Sequence, residues 1–119
     1  MIYLQDNRRK FSDNEKQILF DEVYGRCPIC GVKLIHSKNG QIYRTFEVAH
    51  IYPANPRPDE EKLLAGEKRL SDDVNSLKNV IAVCRMCHKK FDTPRTKDEY
   101  RVWCRIKEKL LQDNEIKDT

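Results

Sequence analysis

The first periodic stretch of the chain opens at Ser12-Asp13-Asn14-Glu15, whose S-x-x-E spacing is that of a capping box. Ile18, Leu19, Glu22 and Val23 then form a partly apolar helical face that stops before Gly25, so a first helix is expected over about 13–24. Cys27-Pro28-Ile29-Cys30-Gly31 reads as a tight knuckle. Two short strands follow, Val32 to Ile35 and Ile42 to Val48, and the Asn39-Gly40 pair between them predicts a hairpin turn. Pro53, Pro56 and Pro58 stiffen the next loop. The charged segment from Asp59 to Leu70 is expected to be a solvated helix or connector, touching the core through Leu63, Leu64 and Leu70. Val80-Ile81-Ala82-Val83 is a short apolar strand, and a helix should run from the following cysteines through Phe91. Thr96-Lys97-Asp98-Glu99 repeats the capping-box spacing and opens a last helix, about 97–112. Its stripe of Tyr100, Trp103, Cys104, Lys107, Leu110 and Leu111 is expected to pack on the core, and the tail beyond Gln112 is polar.

Composition adds a constraint on how such a chain holds together. Its 119 residues fit a single domain, 1–119, with 39% apolar and 35% charged positions. That is hydrophilic for so small a globule, and a domain of this size often needs a staple besides its core. The net charge of +4, from 23 Lys and Arg against 19 Asp and Glu, permits nucleic-acid binding without demanding it. No apolar run approaches the roughly 20 residues that cross a bilayer. No apolar segment follows Arg8-Arg9-Lys10 as in a secretion signal, so the expected location is cytoplasmic, away from the membrane. In a reducing compartment, cysteines in C-x-x-C pairs are more often metal ligands or redox groups than disulfides.

Two such pairs occur, Cys27/Cys30 and Cys84/Cys87. Two intervening residues let both thiolates of a pair turn toward one tetrahedral ion, and two pairs fill its coordination shell. A closed four-cysteine site is structural, so the pattern predicts a Zn²⁺ staple joining the two halves of the chain. A redox role is the competing reading, but no thioredoxin-like βαβ pattern surrounds either pair. Cys104, on the apolar stripe, is expected to be a small buried hydrophobe.

A second pattern is interleaved with the cysteines. Phe46-Glu47-Val48-Ala49-His50-Ile51 is followed by Asn79-Val80-Ile81-Ala82-Val83-Cys84 and then Cys87-His88. This His…Asn…His order resembles the HNH endonuclease family over roughly residues 27 to 92. The resemblance implies an α+β fold: a ββα-metal core stapled by the four-cysteine zinc, with flanking N- and C-terminal helices. It also implies hydrolysis of DNA phosphodiester bonds, with His50 as general base and His88 as a metal ligand at the start of the helix. Asn79 would hold the loop that orients His50 or, as in some members, help bind the metal. Asp92 lies four residues after His88, on the same helical face, and is a hard oxygen donor suited to Mg²⁺ or Mn²⁺.

One position departs from many members, which carry an Asp or His ligand immediately before the base. Here it is Ala49, and Glu47, two residues earlier on the strand, is the candidate replacement that would complete a Glu47, His88, Asp92 set. The same departure supports an alternative function, a catalytically inactive zinc module that binds nucleic acid or a protein partner. Arg85, Lys89, Lys90 and Arg95 lie near His88 and are the candidate phosphate contacts, with Arg44, Arg57 and Arg69 weaker. His36, beside the turn, is expected to be an ordinary surface residue, and Asn75 fits the family spacing less well than Asn79. No base-reading element is visible, so little sequence specificity is expected, and such domains commonly act as the blade of a larger restriction or anti-phage assembly.

Overall fold

The computed structural model describes residues 8–117. The first helix, α1, spans Asp13–Glu22 and is capped as its sequence requires: the Glu15 amide donates to the Ser12 hydroxyl, and the Ser12 amide to the Glu15 carboxylate. It ends two residues before the expected limit because Tyr24 and Gly25 turn left-handed, at φ 58° and 70°, and the Gly25 amide reaches back to the Phe20 carbonyl at 3.1 Å. A Cβ on Gly25 would also lie 3.1 Å from the Phe20 ring, so glycine fits this corner best.

The strands are divided differently from the sequence reading. Val32 to Leu34 belong to the cysteine knuckle, through Cys27 N–H to the Val32 carbonyl and Leu34 N–H to the Gly25 carbonyl, both 2.8 Å. The hairpin forms one step later, from β1 (Ile35–Lys38) and β2 (Gln41–Arg44), around Asn39 and Gly40 at φ 53° and 77°. Both central residues of this turn are left-handed, as in a type I′ turn. The strand expected over Ile42 to Val48 is two strands. After β2 the chain breaks at Thr45-Phe46, and β3 (Glu47–His50) pairs antiparallel with β4 (Val80–Val83) in a separate sheet. Alternation of side chains cannot reveal such a change of partner, because both strands keep the same period.

Helix α2 is a single short element, Pro58–Leu63, with Pro at its first turn. From β4 the chain enters α3 (Arg85–Asp92), completing the β3-β4-α3 unit, and then α4 (Lys97–Lys117), which continues past the expected end at 112 because neither Gly nor Pro interrupts it. No helix among the described residues is long and apolar enough to cross a membrane.

All four residues of β4 are buried, which explains their uninterrupted apolar run. Around them pack Leu19 of α1 and Val23 at its C-cap, Ile51, Leu64, Phe91 and the α4 residues Tyr100, Trp103 and Cys104. Phe91 and Trp103 stack with ring centroids 3.8 Å apart. Lys107, on the same α4 stripe, is fully buried as well; its ammonium donates to the Glu22 carboxylate of α1. Burial pushes the Lys107 ammonium below its usual range and the Glu22 carboxyl above its own.

Candidate active site and metal centres

The two cysteine knuckles meet. The sulfur atoms of Cys27, Cys30, Cys84 and Cys87 all lie within 4.8 Å of one another, with Cys30 and Cys84 Sγ 3.7 Å apart. Four thiols at such separations are positioned to form a tetrahedral zinc site. The first knuckle is shaped by Gly31, at φ 82°, whose amide donates to the Cys27 carbonyl at 2.8 Å. The second is the N-terminus of α3, where Cys84 occupies the N-cap and its sulfur accepts from the Cys87 amide at 3.4 Å. Burial alone would raise the Cys27 thiol, but hydrogen bonds from the backbone of Cys84, Cys30 and Ile29 outweigh it and bring the group to about 7. Zinc here would tie the approach to the hairpin to the start of α3, leaving no ligand position open.

A separate feature is a cleft of about 1030 Å³ that none of the four cysteines lines. His50, at the end of β3, Glu47, at its start, and His88 and Asp92, one turn apart on α3, all line it. The imidazole of His88 is held at both edges: Nδ1 is 2.8 Å from Glu47 Oε1, and Nε2 is 3.2 Å from Asp92 Oδ2. The hydrogen bond to Asp92, reinforced by Glu47 and opposed by burial, holds His88 above the usual imidazole range. His50 is shifted the other way. Burial, helped by the charges of Arg8, His88 and Arg95, pushes it below its usual range, against a hydrogen bond to the Asn75 amide oxygen. One imidazole of the cleft is thus kept neutral and the other favours its proton.

Glu47, His88 and Asp92 are neighbours but do not converge on one point; among the described residues, the four cysteines are the one group of three or more whose ligand atoms cluster closely enough to hold a metal ion. Glu47 and Asp92 flank opposite edges of one ring, so a cation bound at one ring nitrogen would share it with one carboxylate, while the other orients the ring from behind. Imidazole nitrogen and carboxylate oxygen are both donors to divalent metal ions. Ala49 is fully buried and is not among the residues that line the cleft.

Asn79 sits in the turn into β4, nearly inaccessible. Its Oδ1 accepts the Tyr52 amide at 2.9 Å, and its Nδ2 donates to the carbonyls of Tyr52 (3.0 Å) and Val74 (2.8 Å). The side chain thus clamps the strand exit just beyond His50. It is Asn75, set aside by the spacing argument, whose Oδ1 lies 3.0 Å from His50 Nε2.

The candidate phosphate contacts divide sharply. Arg95 is buried, its side chain only 5% exposed, and it is fully engaged with Glu60, Asp92 and the carbonyls of His50 and Ile51. Its guanidinium ties α2, α3 and the end of β3 together, which no spacing rule announces. Arg85, with its side chain 89% exposed, lies 4.0 Å from Glu47, and Lys89 and Lys90 are exposed on α3. None of these three lines the cleft; besides Arg95, its Lys and Arg residues are Arg8, Arg9, Lys10, Lys16, Arg44 and Arg57, and Arg44 donates to Gln17 of α1 at 3.0 Å. Arg69 stacks on the Tyr52 ring, 4.0 Å from its centroid, and His36 stacks on Tyr43 in the exposed hairpin.

A comparison with curated proteins returned no match. The family model described as HNH endonuclease matches residues 27–96, which span both knuckles, β3, β4 and α3, and so more than half of the chain. With this match, the paired cysteines, His50, Asn79 and His88 fall inside one recognised unit, and the chain belongs to the HNH endonuclease family.

Proposed function

We propose that this chain is a metal-dependent endonuclease that hydrolyses DNA phosphodiester bonds, with residues 1–119 acting as one nuclease domain. The observation that carries the reading is the shared cleft: His50, whose burial favours the neutral imidazole, stands with the His88–carboxylate cluster in a cleft also lined by Lys and Arg. In this reading His50 takes a proton from the attacking water. His88 and one of its two flanking carboxylates would hold a Mg²⁺ or Mn²⁺ ion. Such an ion, when bound, supplies charge stabilisation at the phosphate and the leaving oxygen. Asn79 and Arg95 act from behind, holding the backbone from His50 to Tyr52. Lys10, Lys16, Arg44 and Arg57 receive the phosphates, and contacts of that kind carry no sequence information.

Plasmid cleavage by the zinc-loaded chain tests the reading, with Mg²⁺, Mn²⁺ or chelator and with His50→Ala alongside. Nicking that requires the divalent ion and falls about 10²–10⁴-fold in the variant is expected. A folded wild type that binds duplex DNA but cuts with neither ion would instead assign the inactive binding module.

A further inference from the structure

His50 is held by a side chain outside the His…Asn…His pattern. Asn75 Oδ1 lies 3.0 Å from His50 Nε2, in the loop leading to β4. The same Oδ1 faces the backbone N–H of Arg9 at 3.4 Å, a contact only an acceptor can answer, so the atom toward His50 is the amide oxygen. A neutral imidazole facing an acceptor must present N–H there. Nε2 then carries the proton, and Nδ1 holds the free lone pair.

Asn75 is itself fixed from two directions. Its amide N–H donates to Asp73 Oδ1 at 2.9 Å, and its carbonyl accepts Arg9 Nε at 3.1 Å. Arg9 in turn forms a two-pronged pair with Glu15, both contacts 2.9 Å, and Glu15 is the residue that closes the α1 capping box. The Arg9 guanidinium also covers the Phe11 ring at 4.2 Å, and that ring lies 6.2 Å from the His50 ring. The segment from Arg9 to Glu15 lies outside the matched residues 27–96, yet it packs against the His50 side chain through Phe11 and against its hydrogen-bond partner through Arg9.

We propose that Asn75 is the positioning residue for His50, holding the imidazole as the Nε2–H tautomer so that Nδ1 is the basic nitrogen, and that Arg9 locks Asn75 in place. The catalytic part of this inference rests on the nuclease reading; the contact itself does not. Asn79 cannot substitute, because its amide is engaged with the backbone of Tyr52 and Val74.

The test pairs a spectroscopic readout with a kinetic one on the full-length, zinc-loaded chain. Long-range proton–nitrogen NMR of histidine-labelled protein reads the tautomer of His50, assigned with His50→Ala. The wild type is expected to show the Nε2–H form alone. Asn75→Ala should move both ring nitrogens toward the exchanging mixture and lower kcat about 10–100-fold, on the scale of lost orienting partners, with KM little changed. Asn75→Asp keeps an acceptor oxygen, so it should keep the tautomer and most of the rate, and move the acid limb of the pH profile upward. Arg9→Gln should move the same nitrogens part of the way. A wild-type Nδ1–H tautomer, or ring nitrogens unmoved by Asn75→Ala, overturns the proposal, and nitrogens unmoved by Arg9→Gln overturn the lock. If no variant and no wild type cuts DNA, the nuclease reading fails, while the NMR arm still decides whether Asn75 holds His50.

Discussion

The two cleft histidines have opposite proton affinities, and the difference comes from what stands at their ring nitrogens. His50 meets a neutral amide and a buried wall, so its charged form is disfavoured; His88 meets two carboxylates, so its charged form is favoured. A sign follows for each. The base must be neutral, and burial keeps His50 neutral below the ordinary imidazole value of about 6.5, so at saturating metal the acid limb of kcat should fall below that pH. A metal ligand must shed its proton, and Asp92 and Glu47 make His88 retain it. The divalent-ion concentration for half-maximal rate should therefore rise steeply as pH drops through the raised His88 value. Rate measured as a function of ion concentration across pH 5–8 separates the two effects; a half-saturating concentration that does not change with pH would remove His88 from the metal site. His50 and His88 were both legible through the family resemblance, which rests on their spacing to the cysteines. Arg95 and Asn75 were not, since an arginine or asparagine in a loop looks the same in sequence whether it faces solvent or a buried carbonyl.

At the scale of elements, α1 and α4 are joined across the core by Glu22 and Lys107. A lysine on an apolar stripe reads as a break in the pattern, and the structure shows it as fully buried with its partner on another helix. Breaking a buried pair by removing one partner typically costs about 3–5 kcal/mol, because the other charge is left without compensation. Glu22→Ala is expected to destabilise the fold by that order in denaturant unfolding. The double change Glu22→Leu with Lys107→Met should recover most of the loss, because it removes both desolvation penalties. If the double variant proved as unstable as the single one, the pair would be contributing more than its cost. The same reasoning explains the misplaced strand boundary. Local alternation located the residues of β2 and β3 but not their partners, and pairing with β4 is what makes β3 part of the site.

For the molecule as a whole, the cysteine cluster joins segments more than fifty residues apart, and none of its cysteines lines the cleft. With 39% apolar residues the core is modest, so the staple should account for a large share of stability. One zinc per chain is expected by elemental analysis. Stripping it with a strong chelator, or replacing Cys30 with Ser, should abolish the cooperative thermal transition or lower its midpoint well beyond the effect of any surface variant. A stripped protein that melts unchanged would overturn the structural role. The sequence by itself determined the two knuckles, the capped helices and the apolar β4, because each is written in spacings of two to four residues that local geometry must obey, while the α+β class and the choice of His50 and His88 came from the resemblance to the HNH endonuclease family. Only the tertiary structure decided which cations line the cleft, that Arg95 is internal, and that Asn75 and Arg9 stand behind His50. Those contacts join residues 45 and 66 positions apart, and the Lys107–Glu22 pair joins residues 85 apart. At such separations no periodicity constrains the partners; they are chosen by how the elements pack.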